Sequence, residues 1–416
     1  MVVQEILEVF YAPHRAFRKI AQNPKFLGPL LILVIYVLVQ VGSSYVVASR
    51  SYLEQTAPLA EQGDIWTENA SLWQASSGVV IADNHFDYMN SSVLYYNTTS
   101  IEFTAGNESS IRMFLNNFGD TVDCGPGGFK NLSLRVKIVS PSFNPENVTL
   151  YLYSYSPANY FAYDLTPVFS NATITEQHFW NNITVPVGSN DWASSNSVAS
   201  WGNITGLRLD FMWSSSSNID LRVDGLFFRG IYKSSLDIYG SQVLFSTALN
   251  SATPFLFQWL LMTALMYLLI KGLRGNVVWK PVMVAVGFAL ATLIVQTLIL
   301  FTAYSTSLPN VSYPLEILAN VPGETEVAYQ AIENTIAQVL LVGSAVQVAV
   351  YIWIAALGAF IVRAVTGVVP MSPIGSTAPE GGVAPGYQQF GWLKCLLVSA
   401  ASLVLTITIL GFLGIA

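Results

Sequence analysis

The chain has only three histidines and two cysteines among its 416 residues, so few reactions are open to it. His14, His85 and His178 lie far apart and show no His–Cys or His-x-x-x-His spacing for zinc. Cys124 falls in a polar stretch and Cys395 in an apolar one, so no intrachain disulfide is expected. There is no Walker loop, dinucleotide fingerprint or Gly-x-Ser-x-Gly elbow. Gly125-Pro126-Gly127-Gly128 is a turn, because no Lys-Ser/Thr follows it. What remains are groups that bind. Tyr151, Tyr153 and Tyr155 alternate along one run, and flat rings in that pattern could stack on sugar rings. Arg135, Lys137, Arg208, Asp210 and Arg222 stand opposite the apolar side of their runs. They could line a polar binding face, with a solvated sheet face as the plainer alternative. Basic patches with interleaved aromatics are absent, so no nucleic-acid partner is expected.

Asparagines followed by X-Ser/Thr occur at Asn69, Asn90, Asn97, Asn107, Asn131, Asn147, Asn171, Asn182, Asn203 and Asn310. This excess over chance predicts N-glycosylation. It also constrains topology, because all ten must then lie on one side of any membrane.

A membrane is indicated by composition: 52% of residues are hydrophobic and 10% charged, against roughly 25% charged in soluble domains. Five stretches can cross a bilayer: Phe26–Ala48, Ala252–Ile270, Pro281–Ala303, Thr335–Val362 and Trp392–Ile415. The first is too long for a signal-peptide core and reads as an uncleaved anchor. The segments 1–25, 271–280 and 363–394 hold nine basic and three acidic residues, whereas the other segments hold nine basic and twenty-two acidic. The positive-inside rule then puts the N-terminus in the cytoplasm and the C-terminus outside, with all ten sequons outside. The leader 1–25 is amphipathic, suited to the lipid interface or to docking under the bundle. Residues 305–333 form an acidic outer loop expected to pack beneath the insert, and the Pro/Gly-rich 370–391 a flexible cytoplasmic one. Gln40, Gln258, Gln296, Gln338 and Gln347 are expected to hydrogen-bond between helices.

Residues 51–245 are a different kind of sequence. Leu132–Ile138 and Leu207–Trp213 alternate strictly, and Val148–Tyr155 is apolar on one face and aromatic on the other. Further strands are expected at Ser100–Phe103, Ile111–Leu115, Asn182–Pro186 and Ile219–Phe228, with Ser214–Ser217 as a turn and residues 51–89 unassigned. About eight strands and no helix imply an antiparallel β-sandwich. The expected fold is therefore a membrane α-helical bundle of five transmembrane helices with an inserted all-β jelly-roll ectodomain.

Four segments of the insert carry a resemblance: Asn97–Phe103, Trp180-Asn181-Asn182-Ile183-Thr184-Val185-Pro186, Trp201–Leu207 and Ile219–Phe228. Over residues 90–232 the insert resembles the galactose-binding-like domains found among carbohydrate-binding modules. That resemblance implies a structural calcium near Asp224, with Glu102 as partner. The phrase Val9-Phe10-Tyr11-Ala12-Pro13-His14-Arg15-Ala16-Phe17-Arg18-Lys19-Ile20-Ala21-Gln22-Asn23-Pro24 runs directly into the first span. With Lys271-Gly272-Leu273-Arg274-Gly275 and the five spans, it resembles the Yip family of Ypt-interacting five-span membrane proteins. The resemblance implies a non-enzymatic protein; a large insert between spans one and two departs from it.

The expectation is a non-enzymatic, multi-pass plasma-membrane protein whose glycosylated ectodomain binds a glycan or a surface-layer protein. Sequons without disulfides point to an archaeal cell surface. Two alternatives are an accessory subunit of a membrane enzyme, secretion or transport complex, with other subunits as partners, and a channel or transporter.

Overall fold

The computed structural model describes residues 2–89, 95–170, 178–367 and 390–414. Helices in chain order are α1 (Val2–Tyr11), α2 (Pro13–Gln22), α3 (Leu27–Arg50), α4 (Thr166–Ser170), α5 (Ser235–Tyr239), α6 (Ser241–Gly272), α7 (Trp279–Ala289), α8 (Ala291–Ser307), α9 (Leu315–Leu318), α10 (Glu324–Thr366) and α11 (Trp392–Phe412). Strands are β1 (Ser51–Ala57), β2 (Gln74–Ala75), β3 (Val79–Asn84), β4 (Ser100–Leu115), β5 (Asn131–Ser140), β6 (Asn147–Ser154), β7 (Ser156–Asp164), β8 (Asn181–Pro186), β9 (Ala193–Ser194), β10 (Ile204–Ser234) and β11 (Val311–Tyr313). The chain forms two compact units. The helical one comprises Met1–Ser51, Ser234–Asn310 and Asn334–Ala416; the β unit comprises Tyr52–Lys233 and Val311–Glu333.

Among the described residues five helical stretches are long and apolar enough to span a bilayer: Leu27–Arg50, Ser241–Gly272, Trp279–Ser307, Glu324–Thr366 and Trp392–Phe412. The 24 residues of α3 are about 36 Å long at 1.5 Å per residue, enough for a ~30 Å hydrocarbon core. All five overlap the apolar runs in the sequence. Helix-to-helix packing relies on small residues: a Cβ at Gly28 would lie 2.0 Å from the Phe288 ring, and one at Gly358 would lie 1.9 Å from Ser399 Oγ. Interhelical hydrogen bonds include those from Ser399 Oγ to the Ala355 carbonyl (2.7 Å), Trp259 Nε1 to the Met283 carbonyl (2.6 Å), the Ser44–Thr247 hydroxyl pair (2.8 Å) and Arg50 of α3 to the Tyr304 and Ser305 carbonyls of α8 (3.0 and 2.8 Å). Two of the five glutamines expected in that role differ: Gln40 and Gln347 donate to Tyr36 and Tyr351 of their own helices. A tyrosine four residues away is on the same helix face and satisfies the amide without a neighbour.

The β unit is organised by its two long strands. The first half of β10 lies between β4 and β6, with Leu209 opposite Met113 and Leu150. Its second half lies between β4 and β5, with Val223 opposite Ile101 and Val136. Both strands thus run through two layers, and the register shifts around Ser217 mark the passage from one to the other. Inward residues from both layers, among them Phe103, Ile111, Leu134, Leu150, Phe211 and Leu221, share one core. Ser214–Ser217 is therefore strand and not turn, and Ser100–Phe103 and Ile111–Leu115 are one strand; pairing on either side overrides the polar composition. The expectation of no helix is corrected by α4 and by three short 3₁₀ turns at Ala60–Gln62, Ile65–Thr67 and Ala70–Leu72. Residues 311–333 belong to this unit: β11 pairs beside β1, and Leu315, Ala319 and Val321 pack with Tyr96 and Phe227.

Candidate functional site

Two places in the β unit concentrate polar chemistry. The first is set by two tryptophans. Trp66 and Trp73 are in the core, and their indole N–H groups donate to the Phe118 and Trp66 carbonyls at 2.9 and 2.7 Å. That fixes the 3₁₀ turn between Asp64 and Glu68 against β10. There Asp64, Glu68 and Asp224 each offer a carboxylate oxygen, all within 4.8 Å of one another. Asp64 and Asp224 are 0% and 1% exposed. Asp224 Oδ1 accepts from the Gly225 amide (2.7 Å) and Oδ2 from the Met89 amide (2.6 Å); Asp64 Oδ1 accepts from the Asn97 amide (3.0 Å), and Glu68 from the Thr99 amide (3.2 Å). Asp64 Oδ2 is buried with no hydrogen-bond partner. Gly225 has φ +54, and a Cβ there would meet the Tyr96 ring at 2.5 Å, so the chain can pass there only as glycine.

Burial raises the Asp64 carboxyl, and burial together with the Asp64 charge raises that of Asp224 well above its usual value. Glu68 is pushed up to about 7, first by burial and then by Asp64. The one cation paired with Asp224 across the ladder, Arg135, is engaged elsewhere: its guanidinium forks onto Glu324 at 2.5 and 2.7 Å. Three close carboxylates, one with an orphaned oxygen, make an all-oxygen donor set that fits a hard divalent cation such as calcium.

Glu102 is not part of this set, which corrects the expected Glu102–Asp224 pair. The register places Glu102 directly opposite Arg222, whose Nε and Nη2 donate to it at 3.1 and 2.9 Å. Arg222 also donates to Asp87, which Lys137 holds at 2.7 Å. Asp64 and Glu68 came from the unassigned 51–89 stretch, where a carboxylate pair four apart flanking Trp66 was the available signal.

The second place is the outer face of the first layer. Arg208 on β10 lies directly opposite Tyr151 on β6, and its guanidinium carbon sits 3.7 Å from the Tyr151 ring centre. Tyr151 meets Tyr160 of β7 edge-on at 5.3 Å. Arg208 and Asp210 form an ion pair, with Nε and Oδ1 3.0 Å apart and the two side chains 26% and 24% exposed. Burial outweighs the attraction of Arg208 and raises the Asp210 carboxyl.

The expected three-tyrosine platform is corrected. Tyr151 is half-exposed, but Tyr153 is 2% exposed, and burial raises its phenol. Tyr155 has φ +62 in the turn joining β6 to β7 and so leaves the strand face. The ring that accompanies Tyr151 is Tyr160. The expected arginine face is corrected too. Arg208 stands on the first layer, Arg222 in the Asp87–Glu102 network, and Arg135 is 4% exposed, so the three do not converge.

Among the sequons, Asn69, Asn97, Asn107, Asn147 and Asn310 are exposed, whereas Asn131, Asn182 and Asn203 are half-buried and the Asn203 Oδ1 is buried. Asn90 and Asn171, like most of the loop 370–391, lie outside the described residues. Peptide mass mapping of the native protein is expected to find glycan on members of the exposed set and none on Asn203. Glycan on Asn203, with the exposed set bare, contradicts this.

No family model matches the chain, and no curated protein matches it. Among solved structures it is similar to a protein from a study of promiscuous carbohydrate-binding modules of the β-sandwich superfamily, at 12% identity and TM-score 0.26, covering 38% of this chain. The chain spans 57% of that protein's length. It is similar also to a family 11 carbohydrate-binding module from Clostridium thermocellum, at 13% identity and TM-score 0.25, covering 42% of this chain and 94% of that one. A family 30 carbohydrate-binding module matches at 8% identity and TM-score 0.28, covering 39% and 91%. Likeness at these scores carries no argument for fold or ligand. By its own residues the chain is a protein with five candidate membrane-spanning helices and a large antiparallel β unit.

Proposed function

We propose that this is a non-enzymatic, multi-pass membrane protein whose β unit binds a glycan on the face built from Tyr151, Tyr160, Arg208 and Asp210. The supporting observation is the Arg208–Asp210 ion pair, whose side chains are 26% and 24% exposed, with the Arg208 guanidinium stacked on the Tyr151 ring and Tyr160 beside it. Sugar hydroxyls donate and accept at once, so they can bond the exposed part of this charged pair while Tyr151 packs on the apolar side of the sugar ring. The orientation follows the basic segments: leader and C-terminal basic loops in the cytoplasm, β unit outside. The Asp64–Glu68–Asp224 carboxylates would hold a calcium ion that braces the 64–68 turn against β10 and carries no step of its own. The Yip-like reading of the five-span bundle is retained as part of this proposal, supported by the leader phrase that folds as α1 and α2.

The test is a glycan array probed with the full-length protein in nanodiscs. Binding is expected, with Arg208→Ala and Tyr151→Ala each weakening it at least roughly tenfold, equivalent to ~1.4 kcal/mol, and Tyr155→Ala leaving it unchanged. If Tyr155→Ala weakens binding and Arg208→Ala does not, this face is not the site. If nothing on the array is bound, the glycan reading fails.

A further inference from the structure

We propose that the α1–α2 hairpin is a lipid-facing foot that binds anionic phospholipid headgroups at the cytoplasmic end of the bundle. The hairpin has two unlike surfaces. Val9, Phe17 and Ile20 are buried in the core of the helical unit, with α2 packed on α7. On the other side of α1, Val3, Leu7 and Tyr11 follow one another at intervals of four and are 62%, 56% and 72% exposed. That spacing makes one continuous apolar stripe. The stripe has a defined surrounding, because α3 begins at Leu27, only four residues after α2 and its cap Asn23. The hairpin is therefore held at the level where the first span enters the hydrocarbon, and apolar side chains there meet acyl chains.

The charges select the headgroup. Arg15, Arg18 and Lys25 are exposed, and none is in an ion pair among the described residues, whereas Lys19 is held by Glu8 at 2.8 Å. Lys271, Arg274 and Lys280, at the end of α6 and the start of α7, are exposed as well, and Lys280 sits 5.9 Å from the Phe26 ring centre at the foot of α3. Against these cations the hairpin offers only Glu5 and the already engaged Glu8. An amphipathic helix with cations beside its apolar stripe fits a phosphate-bearing anionic surface, and each Lys or Arg there adds to the attraction. A partner protein covering the same stripe is the competing occupant, and the test separates the two.

This inference rests on α3 being a membrane span and not on the glycan reading. A nitroxide is attached to Leu7→Cys, and in a second sample to Leu38→Cys, in the full-length protein in nanodiscs; Leu38 is a 65% exposed position on α3. Both native cysteines are buried, so the introduced thiol takes the label. The Leu7 label is expected to collide with oxygen more than with a water-soluble nickel chelate. A Leu38 label open to the chelate overturns the membrane reading itself. A lipid-embedded Leu38 label with a Leu7 label shielded from both reagents, or open to the chelate, overturns only the foot. In mixed phosphatidylcholine–phosphatidylglycerol nanodiscs, native protein is expected to retain phosphatidylglycerol through extraction. The triple variant Arg15→Gln, Arg18→Gln, Lys25→Gln is expected to retain it roughly tenfold less or lower. Equal retention by the two proteins overturns the headgroup assignment.

Discussion

Replacing Arg229 by Ala is expected to destabilise the β unit by about 3–5 kcal/mol, because it strands two carboxylates built around one guanidinium. Arg229 Nε and Nη2 donate to Glu54 at 3.0 and 2.8 Å, and Nη1 and Nη2 donate to Glu316 at 2.6 and 2.8 Å. Glu54 is 2% exposed and also accepts the backbone amides of Gly230 and Leu315, at 2.9 and 2.7 Å. One carboxylate thus ties β1, β10 and the 311–333 segment together. Burial works against an ionised Glu316, yet Arg229's hydrogen bonds and charge hold its carboxyl below the usual range. The contribution is therefore present above the unfolded carboxyl value and is lost as pH falls through the lower folded one. In a domain of this size each kcal/mol moves the midpoint by about 2–4 °C, so thermal melts should show a drop on the order of 10 °C. Arg229→Lys should recover part of it, since an ammonium keeps the charge but not the double fork. Limited proteolysis should open first within 311–333. A midpoint lowered by less than roughly 2 °C would mean that Glu54 and Glu316 find other partners.

The Arg229 cluster also shows where a sequence stops informing. Its members, Glu54, Arg229 and Glu316, are far apart in the chain, and nothing in their local patterns distinguishes them from surface charges. The apolar spans were legible because a bilayer imposes length and polarity on one contiguous segment. Alternation likewise revealed β5 and the two ends of β10, since a half-buried strand writes its faces at period two. Ser214–Ser217 misled because four serines have turn composition, while the ladder with β4 resumes at Ser217. Glu102 misled in another way. Its strand was read correctly, but register decides its neighbour, and register put Arg222 across from it. Asp64 and Glu68 stayed unseen because their turn has no periodicity; it is placed by Trp66 and Trp73 entering a core assembled from distant strands. Of the glycan face, Tyr151 and Arg208 were legible as outward residues, but Tyr160 was not, since its place beside Tyr151 depends on the pairing of β6 with β7.

Calcium at millimolar concentration is expected to raise the midpoint of the β unit by about 5–10 °C at pH 7.5, from the ~2.7 kcal/mol that a ligand contributes at a hundredfold excess over its Kd. The reason lies in the cation-free state. Burial raises the carboxyls of Asp64, Glu68 and Asp224, and the Asp64 charge adds to the rise at Glu68 and Asp224. A carboxyl raised in the folded state has the opposite linkage to that of Glu316. Its folded form binds the proton more tightly than the unfolded one, so stability is gained as pH falls from about 7, the Glu68 value, toward the ordinary 4.5, and is lost as pH rises. In EDTA the β unit should therefore melt higher at pH 6 than the rest of its charges would dictate, and calcium should add less there, since protons and cation compete for the same oxygens. Glu68→Gln gives the sharpest outcome, because the amide oxygen can still accept from the Thr99 amide while one charge is removed. The variant should melt at or above native protein in EDTA and should no longer respond to calcium. A native midpoint identical in EDTA and calcium at pH 7.5, with Glu68→Gln melting lower in EDTA, would show that the three carboxylates are held by protons and hydrogen bonds alone.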